Sequence, residues 1–194
     1  PIYVLYSLMV DRFKDGKPEN NKPMNRPDVH PKADYQGGDL AGITQVIKDG
    51  YFEKMGFTTI WMTPLNQNPL EPYGEQQEPV KTKFSGYHGY WPVSSSKVDF
   101  RIGTEEELKE LTKTAHEHGL NVILDYVANH VHQEHPMFKN DPTICTPLIL
   151  PDGTKNIAQW NEHRLTTWFD DFLPTLNYDR KEIVDTMTDS ALYW

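Results

Sequence analysis

Cysteine occurs once, at Cys145, which excludes an internal disulfide and leaves the redox compartment open. Basic residues are scarce too: 19 Lys and Arg stand against 28 Asp and Glu, for a net charge of −9. A phosphate-binding partner needs a basic face, so this balance argues against nucleic acid. No run of about 18 apolar residues exists, which excludes a helical membrane span. The opening PIYVLYSLMVDRF lacks a basic n-region and a cleavage site, and reads as a strand rather than a signal peptide. No Gly-rich nucleotide fingerprint follows any apolar run, which weighs against an open doubly wound sheet. Cellular location stays open.

The chain that remains is built around Leu120–His132, LNVILDYVANHVH. Its near-continuous apolar run suits a strand of a parallel sheet buried on both faces. Asp125 interrupts that run, and Asn129, His130 and His132 follow closely. A carboxylate placed there costs several kcal/mol unless it is paired, roughly the penalty of an unpaired buried ion. Asp125 is therefore either a loop tie or part of a site, and strand C-termini are where parallel α/β folds place their sites.

Earlier elements fit the same architecture. Ile2–Met9 predicts a first strand, followed by a polar loop of about 25 residues, a length that is usually functional or metal-organised. Asp39 is an N-cap for a helix carrying Leu40, Ile43, Val46 and Ile47, with Gly56 as the stop. Phe57–Thr63 predicts a second strand, and a second long loop runs to Gly103. Thr104 and Glu107 form a capping box, and Leu108, Leu111 and Ala115 give that helix one apolar face. After His132 a third, irregular excursion holds Trp160, Trp168, Phe169 and Phe172. Asp179 with Glu182 suggests one more capping box, opening a helix through Ile183, Val184 and Met187. The order β-α-β-α-β, with short helix-to-strand links and long strand-to-helix loops, predicts an α/β fold with parallel strands. The chain begins in a strand and closes in a helical pattern, so it is expected to be a segment of something longer.

Three groups of residues carry candidate chemistry. Asp15, Asn20, Asn21 and Asp39 are hard oxygen donors, and Gly37 and Gly38 let backbone approach; calcium takes six to eight such oxygens. The same residues also favour ordinary turns. Tyr87-His88-Gly89-Tyr90-Trp91 concentrates rings that could stack on the apolar faces of sugars, or form a small hydrophobic cluster. Asp125, Asn129, His130 and His132 suit either a zinc-type hydrolytic site or hydrogen bonding to a polyhydroxyl substrate, and spacing decides neither.

Several ordered segments share one resemblance. Asp125-Tyr-Val-Ala-Asn129-His130 resembles the first signature region of the α-amylase family of glycoside hydrolases, at the end of its third barrel strand. Gly86–Trp91, Gly56–Pro64 and Val98–Thr104 resemble that family's aromatic segment, second strand and approach to the second helix. Asp11-Arg12-Phe13, Asp15-Gly16 and Gly37–Leu40 resemble a calcium-holding loop, and Leu173–Asn177 the end of an inserted domain B.

The resemblance implies the N-terminal half of a (β/α)8 TIM barrel with domain B inserted after strand three. It places the first three βα units at 1–130, domain B at 131–178 and a barrel helix at 179–194. It implies retaining hydrolysis of α-1,4-glucosidic bonds in starch-derived glucans, with an α-glucan or maltooligosaccharide as partner. His130 and His88 would hydrogen-bond the sugar at the cleavage subsite, Tyr90 would stack beneath it, and Trp91 and Asn129 would join the substrate-binding set. Asp125 would be a buried supporter rather than the nucleophile. Asp15, Asn20, Asn21, Asp39 and the carbonyl of Gly37 would hold calcium; Lys17 stands where relatives often carry Asn or Asp.

Two departures matter. Thr175 stands where many α-amylases have an Asp that holds a different calcium, which leans toward the neopullulanase, cyclomaltodextrinase and maltogenic amylase branch. No Gly-x-Arg-x-Asp segment occurs, so the nucleophile and acid/base would come from the rest of the barrel in a parent chain, and the fragment alone would be inactive. The alternatives are a non-catalytic glucan-binding relative and a metal-dependent hydrolase using His130, His132 and Asp125.

Overall fold

A computed structural model describes residues 2–194. Its contacts divide the chain into two compact units, one running up to Tyr90 and adding Lys97–Asp125, the other combining Trp91–Ser96 with Tyr126–Trp194. This is a cut by compactness, drawn at different places from the functional division read from the sequence.

The first unit is a three-stranded parallel sheet with helices between the strands. Strands β1 (Leu5–Leu8), β2 (Thr59–Met62) and β5 (Asn121–Leu124) lie in the order β1-β2-β5, with Leu5 beside Thr59 and Thr59 beside Asn121. Short helix α1 (Val10–Phe13) follows β1 directly. Helix α2 (Leu40–Lys48) is capped by Asp39, whose side chain accepts from the Gly42 amide. Its Leu40, Ile43 and Ile47 are buried, as their spacing predicts. The expected single helix is broken, because Asp49-Gly50 turns the chain before α3 (Tyr51–Lys54).

Helix α4 (Glu105–Glu117) carries the predicted capping box in both directions, Thr104 accepting from the Glu107 amide and Glu107 from the Thr104 amide. Its Leu111 and Ala115 are fully buried, as are Ile60 and Met62 of β2. Tyr6 of β1 anchors an aromatic cluster, edge-on to Phe13, Phe52 and Phe57 at 5.8, 5.2 and 4.9 Å.

Two features depart from the sequence reading. The long loop after β2 contains an antiparallel hairpin, β3 (Tyr73–Gln76) with β4 (Thr82–Phe84), whose polar YGEQ and TKF segments give little alternation to read. Strand β5 is not buried on both faces: its residues alternate between exposed and half-buried, and Ile123 is 40% exposed.

The second unit has little regular structure. Helices α5 (Pro136–Asn140) and α6 (Lys181–Tyr193) flank segments joined by isolated bridges, His130 to Thr175 and Cys145 to Leu176. Val131, Ile144, Trp168, Leu176, Ile183 and Met187 form its core. The expected capping box at α6 does not form; Arg180 binds Glu182 at 2.6 Å and the helix starts at Lys181 without a side-chain cap. Among the described residues, no helix is long and apolar enough to cross a membrane.

Candidate functional site

In the first unit, Asp125 follows the last residue of β5, and its amide donates to the Met62 carbonyl of β2 at 3.1 Å. It is half-buried rather than buried. Its partner is Tyr90, whose hydroxyl donates to Oδ2 at 2.7 Å. Burial, then the bond and charge of Asp125, raise the Tyr90 phenol to about 12, so it remains a donor at any physiological pH. His88 stacks on the Tyr90 ring at 6.0 Å, tilted by 20°. The Tyr90 amide donates to His88 Nδ1 at 3.0 Å, so in the neutral ring the proton sits on Nε2. Asp125, Tyr90 and His88 therefore form one hydrogen-bonded and stacked group.

The turn that presents these rings is tied to the end of β2. Gly89 has a φ of +86°, and a Cβ there would lie 2.3 Å from the Pro64 carbonyl oxygen, so only glycine fits. The Arg12 guanidinium lies 3.9 Å over the Tyr87 ring. Nearby, Asp99 and Arg101 form a buried pair at 2.7 Å, and Arg101 also donates to the carbonyls of Asn68 and Pro69. The roles of Arg12, Asp99 and Arg101 were missed in the sequence. The available signal was a pair of opposite charges inside DRF and DFR, each pair following a valine.

The oxygen-rich loop also condenses. Asp39 is fully buried; its Oδ1 accepts from the amides of Gly42 and Gly16 at 2.7 and 3.0 Å, and its Oδ2 from Asn20 Nδ2 at 3.1 Å. Asn21 Nδ2 donates to Asp15 Oδ2 at 2.6 Å. These bonds turn both amide oxygens away from donors, and Oδ1 of Asn20 and of Asn21 are buried without a partner. Gly37, at φ +92°, brings its backbone so close that a Cβ would lie 2.7 Å from Asn21 Oδ1. Asp11 fixes that backbone, its carboxylate accepting from the amides of Gln36 and Gly37. Those two orphaned oxygens lack a donor, and with the carboxylates of Asp15 and Asp39 they are the donor type a hard cation would take.

A cleft of about 760 Å³ in the same unit lies elsewhere, lined by Arg26, His30, Tyr35 and Lys81 among others, and includes none of these expected site residues.

In the second unit, residues 129–133 run antiparallel to 172–176. The Leu176 amide donates to the Asn129 carbonyl at 3.0 Å and the Val131 amide to the Pro174 carbonyl at 3.2 Å. His130 is held there, only 6% exposed, with Asn129 Nδ2 3.4 Å from its Nδ1 and the Phe169 ring 5.2 Å away. The Thr175 hydroxyl donates to the Thr167 carbonyl at 2.8 Å, so it serves the unit's own packing. Trp91 is buried edge-on to Phe172 at 5.1 Å, the place of a supporting ring rather than a sugar-facing one.

His132 and His135 are buried too, and desolvation depresses each to about 4. Their Nδ1 atoms accept the amides of Glu134 and Met137. Among the described residues, no group of three or more His, Cys, Asp or Glu is placed to hold a metal, so the zinc-type constellation is not assembled there.

Residues 7–146 match the family model described as "Alpha amylase, catalytic domain". The chain belongs to the alpha-amylase family. An alpha-amylase-family relative, the cyclomaltodextrin glucanotransferase of Klebsiella oxytoca, is 30% identical over 98% of this chain and 30% of its own length. Among solved structures, an Anoxybacillus alpha-amylase is 34% identical with a TM-score of 0.76, over 98% of this chain and 37% of its own. The alpha-amylase of Geobacillus thermoleovorans, solved with acarbose, is 35% identical with a TM-score of 0.73, over 99% of this chain and 37% of its own. This chain thus spans about a third of the length of these relatives. Its parallel sheet with intervening helices is part of the alpha-amylase (β/α)8 barrel.

Proposed function

We propose that this chain is the substrate-gripping part of a retaining glycosidase acting on α-1,4-glucosidic bonds of starch-derived glucans. The observation that carries the reading is the Tyr90–Asp125 hydrogen bond at the end of β5, with His88 stacked on the same tyrosine. A ring face, a carboxylate and an imidazole N–H are the groups a pyranose requires: apolar C–H bonds on its faces, hydroxyls on its rim. Tyr90 uses one of the carboxylate's lone-pair sites, leaving the group able to accept from a sugar hydroxyl. His88 Nδ1 accepts the Tyr90 amide, so the neutral ring carries its proton on Nε2. In the second unit His130, with Asn129 beside it, would supply a further hydrogen bond to the sugar. The nucleophile and acid/base, about 5 Å apart in retaining enzymes, would come from the remainder of the barrel.

Calcium suits the loop of Asp15, Asn20, Asn21, Gly37 and Asp39, supported by the two unpartnered amide oxygens. Bound there it would neutralise the carboxylates and tie the loop to the start of α2, a structural service apart from bond cleavage. The relatives' names include both cyclomaltodextrin glucanotransferases and alpha-amylases, whereas Thr175 favours the neopullulanase-like branch. Product analysis tests the retaining chemistry these branches share. The full-length protein incubated with maltoheptaose should release shorter maltooligosaccharides in the α-anomeric form. Initial release of the β-anomer, or no cleavage, would overturn the reading.

A further inference from the structure

We propose that Phe169 and Trp160 form an aromatic platform that continues from His130 and carries a further glucose residue of a longer α-glucan; this rests on the function proposed above. Three rings of the second unit follow one another: His130 to Phe169 at 5.2 Å, and Phe169 to Trp160 at 4.7 Å with a 57° tilt. The segment holding them sorts its rings sharply. Trp168 is 5% exposed, and its indole N–H donates to the Thr146 carbonyl, whereas Phe169 is 51% exposed and Trp160 39%.

Nor is this a loose loop. Ile157 bridges Trp168, the Ala158 amide donates to the Trp168 carbonyl at 2.9 Å, and the Gln159 amide to Thr167 Oγ1 at 2.8 Å. Ala158 is held at φ +53°, a left-handed conformation that strains a non-glycine residue. That strain turns the chain immediately before Trp160. A fixed backbone holding two solvent-facing rings at an angle is preorganised for a ligand with apolar faces. A glucan chain is such a ligand, because each sugar offers a C–H face, and successive residues turn relative to one another. Continuity with His130 gives the platform its direction, away from the sugar that His130 holds.

The test compares chain lengths in the full-length protein. For Phe169→Ala, kcat/KM on maltoheptaose should fall about tenfold, the worth of one stacked ring, mostly through KM. On maltotriose it should stay within about twofold, well under one stacking contact. Trp160→Ala should show the same dependence more weakly, and Trp160→Phe should restore it. Equal losses on both substrates, unchanged kinetics, or a lower melting temperature without length dependence would assign these rings to packing and overturn the inference alone. Should Phe169→Ala not fold, Trp160→Ala decides the question by the same comparison. A wild-type protein that cleaves no maltooligosaccharide would overturn the parent reading, and this inference with it.

Discussion

The two units place their candidate side chains by different means. In the first, a parallel sheet and capped helices hold the backbone, and the site groups stand on turns fixed by close approaches such as Gly89 against Pro64. In the second, regular ladders are few, and position comes from polar groups buried beside the apolar core: Thr146, Asn156, Thr167 and Thr175, with Trp168 bonded to Thr146. The first arrangement fixes a few groups firmly; the second arranges a face, His130 with Phe169 and Trp160, from segments far apart in sequence. On the function proposed above, the strand-end group would hold the sugar at the cleavage subsite and the irregular unit would read substrate length.

The largest expected effect sharpens that contrast. Asp125→Ala in the full-length protein removes the Tyr90 partner and should lower kcat/KM on maltooligosaccharides about a hundredfold, the scale of a lost positioning group. Kinetics close to wild type would show that the strand-end group is only a loop tie. His130→Ala should lower turnover at least about tenfold, the loss of one charge-free hydrogen bond in the reacting state, with the fold intact by circular dichroism. Unchanged turnover would remove His130 from the site.

Metal removal probes the first unit by itself. Chelation should lower the melting temperature, since a ligand that binds only the folded state stabilises it, and Asp39→Asn should abolish the calcium dependence. A melting temperature indifferent to chelator would assign the orphaned amide oxygens of Asn20 and Asn21 to some other partner.

A stability readout belongs to the second unit. His132 and His135 are depressed from an ordinary 6.5 to about 4 by burial. Between these values the unfolded chain binds protons that the folded chain does not, so stability rises with pH. Stability should therefore be full above about pH 6.5 and decline as pH falls toward 4, at up to about 1.4 kcal/mol per unit for each histidine. Urea midpoints at pH 7 and 5 measure this, and His135→Asn should flatten the slope. A pH-independent midpoint would mean that these rings protonate freely in the folded state.

What the sequence made legible follows the same division. Thr104 with Glu107, Asp39 before Leu40, and the alternation of strands and helices are local signals, and each appears in the first unit. The β3–β4 hairpin escaped because YGEQ and TKF carry little apolar alternation. Asp179 and Glu182 had the spacing of a capping box, but Arg180 drew the glutamate away. At the site, residue types were legible and their partnerships were not. The Tyr90–Asp125 bond joins positions 35 residues apart, and the approach of Gly37 to Asn21 depends on Asp11 holding the intervening loop. In the second unit only the ring content of the excursion was visible; which rings face outward is set by Thr146 capturing Trp168.

The most direct test of the grip on a glucose ring is histidine NMR. With ring-labelled histidine in the full-length protein, saturating maltose should shift the His88 and His130 ring signals and leave those of His132 and His135 in place. Shifts confined to His132 and His135, or no shift at a sugar concentration shown to bind, would contradict the account.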